Sequence, residues 1–337
     1  MTIRPFIRNL AMLVAGSAAA QTPATIEKPA KPAAAKPART WTVPRTADGQ
    51  PDFQGVWNNG TITRLERPAD LAGKEFFTPK EALEYEKTVV ERTNRDQRTP
   101  GTEGDVSRAY NDAWWDSGTK VIRTLRTSMV IDPPDGRLPP LTPQAQALLR
   151  SQAAGRHPQP WGPEDRSLQE RCLMFPTDSV PMLPYVYNNN FRIVQTKDTL
   201  AIYIEMIHDV RTVYLDGRPH LPSTIRRWLG DSRGHWEGDT LVVDNTNFNG
   251  KNRFSFNSPV DQNLHVVERF TRSDRDTLVY RFTVEDPTVY TKPWTAETTL
   301  SAAPGPIYEY ACHEGNYGMM NLLSGARAEE KAAQTAK

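Results

Sequence analysis

Much of what would place a chain quickly is missing from these 337 residues. Cysteine is nearly absent: Cys172 and Cys312 are the only two, too few for a disulfide-dense scaffold. Six histidines are scattered singly, and no two stand four apart around a glutamate, so the zinc-protease signature is lacking. No nucleophile elbow, Walker loop or dinucleotide fingerprint is expected, which disfavours a serine hydrolase or a nicotinamide enzyme. The near balance of 41 basic and 40 acidic residues, with no basic block, argues against nucleic acid or an anionic membrane as a partner. Beyond the N-terminus no apolar run is long enough to span a bilayer.

What is present begins with an export pattern. Arg4 and Arg8 form a basic start, residues 10–15 an apolar centre, and Ala18-Ala19-Ala20 a small-residue cleavage site. Residues 1–20 read as a signal peptide cleaved after Ala20, which implies a periplasmic or secreted protein; a buried N-terminal helix is the competing interpretation. Losing Arg4 and Arg8 moves the formal charge from +1 to −1. Residues 21–40, mostly Ala, Pro, Lys and Thr, have too little to bury and are expected to be a disordered tether. In an oxidising compartment Cys172 and Cys312 are expected to pair as a disulfide. A reactive Cys312 beside His313 and Glu314 is the alternative.

Residues 41–187 read as an N-terminal strand followed by a helical and Pro-rich cap. Thr78-Pro79-Lys80-Glu81 has the residues of a capped helix start, with Leu83, Tyr85, Val89 and Val90 as its apolar stripe. Residues 123–131 alternate as a strand, and Thr142-Pro143 opens a second helix to about residue 154. Residues 188–318 then change to period two. Strands are expected at 191–196, 200–208, 211–216, 224–229, 240–248, 264–272, 277–285, 294–302 and 307–312. Short polar loops between them demand antiparallel neighbours. The expected fold is mainly β: an antiparallel, up-and-down, lipocalin-like barrel or curled sheet, with a flattened sandwich as its rival. Residues 319–337 read as a short helix and tail. Gly230, Gly234 and Gly238 read as backbone turns, with Asp231 and Asp239 as turn-capping residues bridged by Arg233.

Ionisable groups gather at a few places in the β region. Glu205 stands in an apolar row and needs either a partner, such as Arg281 or Arg227, or a raised pKa. Glu205, His208, His313 and Arg211 are the candidate catalytic set: base, acid partner and anion holder. Tyr187, Asn189, Trp115, Trp228 and Tyr317 are candidate ligand-binding residues, and Trp114 and Tyr185 would help wall a barrel mouth. No cofactor is implied. A metal site drawn from His208, His220, His235 and His313 is a further alternative.

The strings Gly-Asp-Ser-Arg-Gly-His-Trp-Glu-Gly-Asp-Thr-Leu-Val-Val (230–243) and Tyr-Glu-Tyr-Ala-Cys-His-Glu-Gly-Asn-Tyr (308–317) carry a resemblance. Over residues 44–330 the chain resembles a large group of exported bacterial proteins of unassigned function. That resemblance implies an exported β-rich domain and assigns no catalytic residue. Gly55-Val56-Trp57 is similar to the Gly-x-Trp with which calycin barrels, lipocalins among them, plug one end. The combined expectation is a barrel that binds an apolar or aromatic small molecule, with cofactor-free lyase, isomerase or hydrolase activity. A non-catalytic binding or scaffold protein and a metal-dependent hydrolase are the alternatives; oligomeric state is left open.

Overall fold

The alternating residues close into a ring. The computed structural model describes residues 41–97, 99–107, 115–154, 160–175, 177–251 and 259–335. The expected signal peptide and tether, and Trp114, lie outside the described residues. In chain order the elements are β1 (Gly55–Asn58), α1 (Pro79–Thr93), α2 (Glu103–Ser107), β2 (Val130–Asp132), α3 (Pro143–Ala154), β3 (Asn190–Gln195), β4 (Thr199–Ile204) and β5 (Val210–Tyr214). They continue with β6 (Asp231–Glu237), β7 (Thr240–Thr246), β8 (His265–Asp274), β9 (Thr277–Glu285), β10 (Trp294–Ala302) and α4 (Tyr317–Thr335). Nine strands pair in the order β1-β3-β4-β5-β6-β7-β8-β9-β10, and β10 returns to β1; β2 adds to β10 as a tenth strand. Closure removes the unpaired edges that an open sheet would expose.

The barrel is mixed, not wholly antiparallel as expected. Strands that alternate in direction cannot close a ring of nine without one parallel pair. That pair is β5–β6, joined in register at Val213↔Ser232 and Tyr214↔Arg233. Residues 215–230 form the crossover that makes it possible. The expected strand at 224–229 does not form there; only Arg227 bridges Phe248. Residues 307–312 pair with no strand, and 123–131 reduces to Val130–Asp132.

The unexpected strand is β6. Gly230 (φ +70°) and Gly238 (φ +60°) are turns as expected, but Gly234 is a strand residue facing the lumen. A methyl there would lie 2.7 Å from Leu215 and 2.8 Å from Val213, so the parallel neighbours need glycine's missing side chain. Arg233 pairs with Asp231 at 2.9 Å, but Asp239 is held by Arg45 instead.

The lumen is full. Trp57, Phe191, Tyr280, Phe282 and Trp294 are buried inward-facing side chains, and Phe270 stacks on Tyr280 at 4.7 Å. Each such ring adds about 1.5–3 kcal/mol of burial, so the core is dense by design and not a hollow awaiting a ligand. Between Phe53, Ile193, Leu200, Val213, Leu241 and Phe270 no space is left for a water-sized sphere. Trp57 donates its indole N–H to the Phe53 carbonyl at 2.8 Å, and the Arg272 guanidinium lies 5.3 Å from its ring.

Outside the ring, α1 begins as its residues dictate. Thr78 caps it, and Thr78 and Glu81 exchange hydrogen bonds as a capping box. Its inner face is Ala82, Glu86 and Val89, whereas Leu83 is exposed. Cys172 and Cys312 form a disulfide with Cα atoms 5.8 Å apart, closing a loop of 140 residues. No described helix is long and apolar enough to cross a membrane.

Candidate functional site

At the barrel end where β3 begins and β4 stops, the chain leaves regular structure in several places at once. The expected strand 200–208 ends at Ile204. Glu205 turns helical and a 3₁₀ turn, Met206–His208, follows it. Ile207 and His208 both have positive φ, 63° and 52°. A β-branched residue rarely adopts that conformation, and such strain concentrates where structure serves a site. Asn188 (φ 53°) and Cys172 (φ 53°) share it at the same end.

Glu205 is buried, yet no ion pair reaches it among the described residues. Arg281 binds Glu297 instead, at 2.7 Å, so the expected arginine partner is not used. Among the described residues the one side-chain bond to Glu205 comes from the Asn190 amide, 2.8 Å from Oε2. Asn190 also accepts from Asn58 at 2.9 Å, and Asn58 donates to Asp116 at 3.4 Å. Asn189, fully buried, donates to the Tyr185 carbonyl at 2.8 Å and to the Asp116 carbonyl at 2.5 Å. One amide ladder thus links the first strand, the third strand and the segment that carries Trp115.

Aromatic rings cover this ladder. Trp115 meets Tyr187 at 6.3 Å, Tyr187 meets Tyr185 at 5.7 Å, and Phe175 packs on both tyrosines and on Tyr310. Burial raises the Tyr185 phenol above its ordinary pKa. His208 Nδ1 lies 3.0 Å from the Tyr310 carbonyl. A carbonyl only accepts, so Nδ1 of the exposed ring donates to it. The disulfide fastens the Phe175 loop to the segment bearing Tyr310.

The same loop holds a group that sequence reasoning missed. Asp178 is fully buried and neither carboxylate oxygen has a hydrogen-bond partner among the described residues. Its hydroxyl neighbours Thr177 and Ser179 are equally buried and unbonded. Burial, with Asp209 adding repulsion, pushes the Asp178 carboxyl well above the usual carboxylate range. An acid flanked by Thr and Ser before Val180-Pro181-Met182 was the available signal.

The remaining expected residues go elsewhere. Arg211 is locked in the lumen. It forms a two-pronged ion pair with Glu268, bonds Asn245 at 2.6 Å and donates through Nε to Ser232 at 3.1 Å. Tyr280 adds its hydroxyl to Glu268 at 2.5 Å and accepts from the Met182 amide at 3.1 Å, which couples this network to the Asp178 loop. His313 and Tyr317 are exposed beyond the disulfide, and half-buried Trp228 lies on the crossover outside the ring cluster. The histidines do not converge: His220 binds Asp231 and Asp244, and His235 binds Glu237. Among the described residues no group of three His, Cys, Asp or Glu could hold a metal ion. Gly230-Asp231-Ser232-Arg233-Gly234 does match the letters of a nucleophile elbow, against expectation. Ser232 nonetheless lies within a strand, buried and bonded to Asn245, and no helix follows it.

Fold and mouth together define a closed β-barrel with a packed lumen and a strained, aromatic-walled end. No family model matches the chain, and no curated protein or solved structure matches it either.

Proposed function

We propose that this mouth binds an apolar or aromatic small molecule bearing a carbonyl or other enolisable group, and that the protein turns it over by cofactor-free acid/base chemistry. The supporting observation is the pair of buried carboxyls: Glu205 with only an amide partner, and Asp178 with none. Structural carboxylates at such burial are ordinarily ion-paired. In this reading Glu205 takes the proton from carbon and the electron pair passes to the ligand oxygen. That oxygen is stabilised by the Asp178 carboxyl, and Glu205 passes the proton it took through His208 or His313 back to the ligand, which restores both groups. Tyr187, Trp115 and Asn189 hold the ring system, with Tyr317 and Trp228 as outer contacts. Arg211, committed to Glu268, serves as rigid floor in place of anion holder. In this reading the protein acts outside the cytoplasm, which its disulfide and the expected signal peptide support.

Acetophenone tests this directly, because its methyl hydrogens exchange with deuterium only through the enol. The full mature protein is expected to bind it saturably and to accelerate that exchange, followed by proton NMR in heavy water. Glu205→Gln should abolish exchange yet keep binding, and Tyr187→Ala should weaken binding. Unchanged exchange in Glu205→Gln removes the assignment of the base. Absence of saturable binding removes the site. The packed lumen favours a second reading, a non-catalytic binding protein; binding without exchange would establish it.

A further inference from the structure

A groove of about 1110 Å³ lies outside the barrel, between α1, residues 64–74 and residues 137–141. Its apolar walls include Leu71, Tyr85 and Leu138, and the acids Glu81 and Glu84 of α1 line it as well. It is large enough for a small organic ligand, whose pockets are typically about 300–1,000 Å³.

Arg67 lines both this groove and the adjoining hollow of Gly73, Pro134 and Asp135. Arg67 is 5% exposed, yet no carboxylate of the described residues lies within ion-pair distance of it. A buried cation normally requires an anion, because desolvation is otherwise uncompensated. The guanidinium is nevertheless carefully held. Nε donates to Thr127 Oγ1 at 3.1 Å and Nη1 to the Pro134 carbonyl at 3.1 Å, both neutral acceptors. Nη2 meets no acceptor among the described residues. Gly136 (φ +74°) closes the turn against it; a methyl there would come within 2.9 Å of Arg67 Cζ. Arg137, in the same wall, donates to the Arg67 carbonyl at 2.9 Å and is only loosely paired with Glu66 at 3.5 Å.

We propose that this groove is a second binding site, for an organic carboxylate with an aromatic or branched apolar body. The carboxylate would sit on Arg67, with Arg137 beside it, and the body would lie along Tyr85, Leu71 and Leu138. A guanidinium oriented by neutral acceptors offers its remaining N–H groups to a planar anion, the geometry that carboxylates fill best.

The probe is phenylacetate, compared with its neutral isostere phenylacetamide, each titrated into the full mature protein and followed by calorimetry and NMR shifts. Phenylacetate should bind saturably, at least about tenfold more tightly than the amide, and more weakly as salt rises. Arg67→Gln should lose that preference, whereas Tyr187→Ala, at the barrel mouth, should leave it intact. Should Arg67→Gln fail to fold, Arg137→Gln and Tyr85→Ala are the readouts, each expected to weaken phenylacetate several-fold. Equal affinity for acid and amide, retention of the preference in Arg67→Gln, or no saturable binding overturns the proposal. Loss of phenylacetate binding in Tyr187→Ala would place the ligand at the mouth and overturn it as well.

Discussion

Glu268 is buried in the lumen and both its oxygens are shared among three side chains. Arg211 grips both its oxygens, Tyr280 donates to one and Asn245 to the other at 2.8 Å. Burial and Glu268 together push the Tyr280 phenol well above its ordinary range, so it acts as a donor and not an anion. Removing the charge of Glu268 alone leaves Arg211 ionised inside the lumen. Glu268→Gln is therefore expected to cost about 3–5 kcal/mol, read from urea unfolding. Replacing the pair together, Arg211→Met with Glu268→Leu, should recover part of that loss; no recovery would mean the charge is not the cause. None of this pairing was legible in the sequence. Arg211 and Glu268 stand 57 residues apart, and period-two alternation only says that both face inward once the register is known. Glu205 could be singled out because an acid in an apolar row is a local anomaly. Asp178 was harder to single out: a Pro-rich loop offers no face on which to judge burial, and only its flanking Thr and Ser marked it.

At the scale of elements, strands with alternating side chains were readable, and β3, β4 and β7 through β10 stand close to their expected positions. The helix start at Thr78 was equally legible, because capping is a contact between near neighbours. β6 was hidden by its glycines, which suggest turns when the partner strands are unknown. The apparent strand at 224–229 has alternating residues but no neighbour to complete it. That crossover is instead clamped to the outer wall. His220 bonds Asp231 at 2.9 Å and Asp244 at 3.2 Å, and Asn247 donates to the Leu221 carbonyl at 2.8 Å. Asp244 also binds His265, whose other nitrogen meets Glu285 at 3.1 Å. The hydrogen bond that His265 donates to Asp244, and then the one to Glu285, raises its pKa from 6.5 to about 9. The folded chain holds this proton more tightly than the unfolded chain. Its stabilisation is thus complete below pH 6.5 and lost as pH rises through about 9. Urea midpoints at constant ionic strength should fall across that window, and His265→Gln should flatten the fall. A wild-type profile no steeper than the variant's would discount this pair.

For the whole molecule, the odd number of strands has a mechanical consequence. Most antiparallel neighbours share long ladders: seven residue pairs join β6 to β7 and eight join β9 to β10, although the closure of β10 on β1 has only two. The parallel junction has two. Its backbone contribution is small, and what keeps it shut is the Arg211 fork from within and the histidine clamp from without. The barrel consequently has a seam, a built-in line along which it can part without unravelling the rest. Amides of β5 that face β6 should exchange with deuterium by local opening, well ahead of those in β8 and β9. Exchange of the β5 amides only through global unfolding would show that the ring opens as one piece.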